Sequence, residues 1–216
     1  MKKVAVILSG CGVFDGSEIY ESVCTFLALE KAGVNYQCFA PNIPQTKVVN
    51  FITQEPMNES RNVLVESARL ARGNVKDLAM IDVNDFDALI LPGGFGAACN
   101  LSNFAEKGAD CVIAPEVKTV INIFKNEKKP VGFICIAPAI AAKIYGDNLK
   151  CTIGNDKGTA SALEAMGAKH QDCAVNDIVI DEQHKVVTTP AFMLGQNISE
   201  VSAGIEKLVN AIIKMA

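Results

Sequence analysis

The feature that most constrains the fold is a repeated change of hydrophobic period along the chain. Short apolar runs closed by glycine or proline alternate with longer segments whose apolar residues recur at helical spacing. Residues 4–8 are one such run, stopped at Ser9-Gly10, and a helical segment follows over 17–31, ending at Gly33. Residues 36–40 form a second run before Pro41, and 58–72 carry Val63, Leu64, Ala68 and Leu70 on helical spacing up to Gly73. The stretch DFDALILPGG then reads as a strand entering a glycine turn, and 115–128 as a helix burying Val117, Val120, Ile121 and Phe124. A strand ending at Cys135, a helix after it, a strand at 149–153 and a helix at 159–166 continue the alternation. A hairpin of 177–180 with 185–189 and a last helix over 199–215 complete it. Such alternation implies a mainly parallel sheet covered by helices on both faces, formed as one domain over residues 1–216.

Composition narrows the partners. A net charge of −4 with dispersed lysines and arginines argues against nucleic acid and against an anionic membrane surface. The opening MKKVAVILSG imitates a signal peptide, but its apolar run is shorter than the ~7–15 residues of a signal core, and no stretch approaches the ~20 of a membrane span. The eight cysteines include no C-x-x-C pair, and both histidines lie far from any paired-cysteine spacing. Reduced thiols in a cytoplasmic protein without a bound metal are therefore expected.

In a sheet of this kind ligands bind at the carboxyl ends of strands. Three strand ends are rich in small or reactive residues: SGCGVFDGSE, PGGFGAACNLSN and CIAPA. The first resembles the start of a dinucleotide fingerprint, but Asp15 stands where glycine is needed and the second strand lacks the acid that holds a ribose. The third sets Cys135 on the corner between a buried strand and a helix, where a tight turn exposes a side chain at the top of the sheet. Amides at the following helix start should favour its thiolate. The competing reading is an inert buried thiol. That reading suits Cys24, Cys38, Cys111, Cys151 and Cys173, which look like helix or strand filler, and leaves Cys11 and Cys99 open. The glycines after the PGG strand allow the Gly94 amide, with that of Ile136, to hold an oxyanion. Glu18 opens the first helix, either as ordinary dipole compensation or as an acid in reach of the thiol. His184 in DEQHKVV and His170 in GAKHQD read as peripheral.

Taken together, LPGGFGAACNLS, GFICIAPA and a glutamate opening the first helix resemble the DJ-1/PfpI superfamily, within the class I glutamine-amidotransferase-like folds. VILSGCGVFDGSEIYE, RNVLVESAR, CTIG and VTTPAFMLGQNI narrow the likeness to the ElbB-type glyoxalase branch, also described as isoprenoid-biosynthesis proteins with an amidotransferase-like domain. The resemblance runs from Met1 to the last helix. It implies a three-layer flavodoxin-like sandwich with a nucleophile elbow, often dimeric, and cofactor-free conversion of glyoxal to glycolate. It implies Cys135 as nucleophile, Glu18 as the carboxyl paired with it, and Gly94 and Ile136 as oxyanion amides; Cys11 and Asn155, in neighbouring loops, are candidate supporting residues. A small 2-oxoaldehyde is the implied substrate, and a homodimer the implied assembly. The amidotransferase and protease relatives use a histidine base, whereas Ile136 follows the cysteine here and Gly154-Asn155-Asp156 occupies the later loop. This departure argues against glutamine hydrolysis and leaves a redox-sensing or small-molecule-binding thiol as the alternative, with Cys11 as a candidate resolving partner.

Overall fold

The first apolar run becomes strand β1 (Lys3–Ile7), with the rest of the sheet built outward from both its sides. The computed structural model describes residues 2–216. In chain order β1 is followed by α1 (Ile19–Lys31), β2 (Asn35–Ala40), α2 (Val63–Leu70), β3 (Val75–Asp77) and β4 (Ala88–Leu91). Next come α3 (Phe95–Cys99), α4 (Phe104–Lys107), α5 (Pro115–Asn126), β5 (Val131–Ile134) and α6 (Pro138–Tyr145). The chain ends with β6 (Lys150–Cys151), α7 (Lys157–Ala165), β7 (Lys169–His170), β8 (Val179–Asp181), β9 (Val186–Thr189) and α8 (Ile198–Met215).

The main sheet has the order β3-β2-β1-β4-β5-β9-β8. Every pair in it is parallel except β8 with β9, the expected hairpin. From β1 the chain moves to β2 and β3 on one side and then returns to β4 on the other. This reversal opens a crevice at the carboxyl ends of β1 and β4, where ligands bind in open α/β sheets. Burial on both faces explains why the central strands are continuously apolar: every residue of β4 and β5 is buried. Their side chains still alternate between two cores. Leu89, Leu91, Val131 and Phe133 pack with α5 and α6 through Ile121, Phe124 and Ile140. Ala88, Ile90 and Ile134 pack with α1 and α8 through Leu29, Ile205 and Leu208. Gly132 takes its turn on the second face because α8 lies close there, and a Cβ on it would sit 2.8 Å from Leu208 Cδ2.

Two expectations are corrected. The run at 149–153 yields only the short strand β6, which leaves the main sheet and pairs in parallel with β7. The helix expected over 58–72 starts at Val63, because the Asn62 side chain accepts the Val65 amide and caps it there. Strand β3 and the short helices α3 and α4 had no clear periodic signal, being three to five residues long.

Candidate active site

Strand β5 is carried straight into a turn by its own pairing. The Cys135 amide donates to Thr189 O at 2.9 Å, which extends the ladder with β9 by one residue, and the chain then reverses into α6. Cys135 makes that reversal at φ 62°, in the left-handed region that costs a non-glycine residue about 1 kcal/mol. Its side chain is consequently thrust upward at the end of the sheet, and 7% of the residue remains exposed. The amides of Gly94, in the turn after the neighbouring β4, and of Ile136, the next residue along the chain, donate hydrogen bonds to the sulfur. Gly94 (φ 93°) has no room for a side chain, since a Cβ would come 2.5 Å from the Glu18 amide nitrogen.

The carboxyl paired with the thiol is Glu21, and this corrects the expectation for Glu18. Helix α1 begins at Ile19, so Glu18 is its N-cap; its Oε2 accepts the Glu21 amide at 2.7 Å. Glu21 stands three residues on, where helical rotation turns it inward with Cys24, Thr25, Ala28 and Leu29. There it is fully buried and hydrogen-bonded to the Cys135 side chain. Its remaining contacts fix it: Oε2 accepts the Gly93 amide at 2.9 Å and Oε1 the Phe192 amide at 3.2 Å. Gly93 makes the meeting sterically feasible, because a Cβ there would overlap Cys135 Cβ and lie 2.8 Å from Glu21 Oε2. The signal for Glu21 was present in the sequence as the second acid of Glu18-Ile19-Tyr20-Glu21, an acid three residues after a capping acid.

Burial governs the electrostatics. Desolvation, reinforced by the nearby Glu18 carboxylate, pushes Glu21 up to about 8, against the opposing effects of Cys135 and the Phe192 and Gly93 amides. The Cys135 thiol is raised too, by burial first and then by the Glu21 charge, and the two amides only partly offset this. Burial thus favours the protonated thiol over the thiolate expected from the helix start alone, and Glu21 becomes an acceptor for that proton as pH rises through about 8. Glu18 is also raised by burial, against the helix amides that it accepts.

Cys135 opens into a cavity of about 330 Å³ that also includes Gly94, Ile136, Val13, Phe95, Phe104, Phe192 and Met193 in its walls. The other expected residues lie outside it. Cys11 is half-buried among Glu66, Arg69 and Asp15, and Asn155 is exposed to solvent. Asp15, the residue that spoils the dinucleotide fingerprint, is buried and accepts the Val49 amide at 2.9 Å. Neither histidine lines the cavity. His184 is tied through Nδ1 to Asp181 Oδ2 at 2.9 Å in the β8–β9 turn, and His170 Nε2 accepts the Ile153 amide at 3.3 Å. Among the described residues no group of three or more His, Cys, Asp or Glu side chains could hold a metal ion.

No family model matches the chain. Pairwise similarity is clear. A rat protein named ES1 protein homolog, mitochondrial, is 43% identical over 223 aligned positions, covering 99% of this chain and 84% of the relative. The human glutamine amidotransferase-like class 1 domain-containing protein 3, mitochondrial, is also 43% identical, with 99% and 83% covered. The chain belongs to this ES1 family of glutamine amidotransferase-like class 1 proteins. A solved structure, that of an isoprenoid biosynthesis protein with amidotransferase-like domain from Ehrlichia chaffeensis, matches with a TM-score of 0.94 and 40% identity over 100% of this chain and 99% of that one. The chain shares its fold with solved DJ-1 superfamily and ThiJ/PfpI domain proteins. Glyoxalase III from Candida albicans superimposes with a TM-score of 0.63 at 16% identity, covering 99% and 97% of the two chains. The rat and human relatives are mitochondrial by name, which overturns the expectation of a cytoplasmic protein.

Proposed function

We propose that this chain is a cofactor-independent glyoxalase that converts glyoxal to glycolate through Cys135. The observation that carries the reading is the contact between a strained corner thiol and a buried carboxyl whose proton affinity is tuned to about pH 8, with two amides facing the sulfur. Ionised Glu21 accepts the thiol proton as sulfur bonds to one aldehyde carbon. The carbonyl electron pair moves to oxygen, where the Gly94 and Ile136 amides stabilise it. Return of that proton gives a hemithioacetal. Glu21 then removes the hydrogen of the sulfur-bearing carbon as a proton and delivers it to the neighbouring carbon, while the hydroxyl proton of the hemithioacetal passes to the former aldehyde oxygen on that neighbour. The product is a glycolyl thioester, which water hydrolyses to glycolate, a proton and the free thiol. One carbon is oxidised and the other reduced, so no external oxidant or reductant enters.

Replacing Cys135 with Ala should abolish glycolate formation from glyoxal, followed by chromatography of the acid. Retained turnover would remove the covalent step. A second reading, a redox-sensing thiol, gains support from the lack of a histidine in the cavity lining, since no imidazole is present to speed turnover. It predicts selective sulfinic acid at Cys135 after mild peroxide, read by mass spectrometry, together with negligible turnover. The raised Cys135 thiol weighs against it, because the thiolate is the oxidisable form.

A further inference from the structure

The cavity above Cys135 is out of proportion to glyoxal. Its volume is about 330 Å³, whereas one water in the liquid takes about 30 Å³, and the smallest dialdehyde fills only a fraction of such a space. Its walls are also chemically wrong for so polar a molecule. Beyond the reacting thiol and amides they consist of Val13, Phe95, Phe104, Phe192, Met193 and the side chain of Ile136, with alanines between them. Among the described residues no charged side chain lines the cavity, and the hydroxyl of Thr159 is engaged by the Asp156 carboxylate. A substrate bearing a carboxylate or an ammonium group would lose its hydration there without a partner. Glyoxal would leave the three phenyl rings in contact with water.

We propose that the preferred substrates of this site are 2-oxoaldehydes with an apolar, flat substituent on the ketone carbon, and that glyoxal is a poor member of the class. The proposal rests on the glyoxalase reading for its chemistry and on the cavity walls for its selectivity. The aldehyde carbon meets the sulfur, and the substituent covers the apolar walls that include Phe104 and Phe192, displacing water from them. The chemistry balances as for glyoxal: the aldehyde carbon ends as the carboxylate, the ketone carbon as the carbinol, and one water is consumed. Phenylglyoxal would give mandelate and methylglyoxal lactate. A single methylene in an apolar pocket is worth about tenfold or more in kcat/KM, so a phenyl ring should clear that margin easily.

The test measures kcat/KM of the full chain for phenylglyoxal, methylglyoxal and glyoxal, with mandelate, lactate and glycolate quantified directly, since phenylglyoxal also consumes arginines. The expected order is phenylglyoxal above methylglyoxal above glyoxal, with at least about tenfold between first and last. Phe104→Ala should lower phenylglyoxal turnover about fivefold or more and narrow the preference for phenylglyoxal over glyoxal; an unchanged ratio of the two would overturn the role of this wall. Glyoxal turned over as well as phenylglyoxal would overturn the selectivity and leave the glyoxalase reading standing. Turnover of none of the three would overturn the glyoxalase reading. In that case acetophenone, an unreactive probe, is titrated into the protein by ligand-observed NMR. Binding that Phe104→Ala weakens would keep the apolar pocket as a binding site, and no binding would overturn that as well.

Discussion

Cys135 and Glu21 are useful to one another only as a pair, and the pair sets a pH dependence that either residue alone would not give. In the proposed reaction Glu21 is the base when ionised, and burial has pushed it up to about 8, so the active form is present above that pH and is lost as pH falls through it. The expected kcat/KM therefore rises with pH up to about 8 and then levels, and Glu21→Gln should lose this limb together with about 10²–10⁴ of the rate. Stopped assays across pH 6–9 with wild type and variant check both. Glu18→Gln keeps an acceptor for the Glu21 amide and should stay within a few-fold of wild type; a large loss would return Glu18 to the chemistry. At this scale the sequence made the thiol legible through its corner position, but pointed to the wrong acid. The choice depended on the first helical residue. A start near Ser17 puts Glu18 inside the first helical turn, while the actual start at Ile19 leaves Glu18 as the cap and makes Glu21 the buried acid of that turn. Helix boundaries are uncertain by one or two residues from sequence, and here that margin separates a cap from a reacting group.

Elements matter through how closely they approach. Helix α1 reaches the top of β5 only because the turn after β4 contributes Gly93, whose missing side chain leaves Glu21 Oε2 and Cys135 room to meet. Gly93→Ala should part them, lowering kcat/KM by about 10²-fold or more while the far-ultraviolet circular dichroism stays as in wild type. An unchanged rate would mean that the pairing is not needed. Element types were largely readable, since β1, β2, β4 and β5 are short buried runs and α1, α5 and α8 have clear helical period. The placement of β6 was not. The run at 149–153 is as apolar as a sheet strand, and its burial is real, with Leu149, Cys151 and Ile153 all enclosed. What sequence period cannot tell is which strand edge it meets, and Lys169–His170 offers it a separate one.

Across the whole molecule, a buried acid at the centre of the fold links stability to pH. The ordinary value of Glu21, 4.5, applies to the unfolded chain, and about 8 to the folded one. The folded state thus holds a proton that the unfolded state releases between those values. The associated stability is complete below about 4.5 and is lost as pH rises through about 8. The loss is on the order of a few kcal/mol. Thermal melting should occur several degrees lower at pH 9 than at pH 6, and Glu21→Gln should remove most of this difference; equal slopes for both proteins would show that Glu21 is not the cause. The fold was legible at this scale because the alternation of apolar runs and helical segments leaves few topologies once connections are short and right-handed. The cavity was not, since Val13, Phe95, Phe104 and Phe192 come from four separate loops or helix starts and meet only after the strands are in register.

The backbone at Cys135 would be more comfortable with glycine, the residue that enters left-handed turns freely. Chance substitution toward better folding therefore pulls this position away from sulfur, and a descendant carrying Cys135→Gly would lose the thiol while relaxing its turn. A lineage that keeps cysteine at this corner does so against its own folding preference, and only selection for what the thiol does can hold it there.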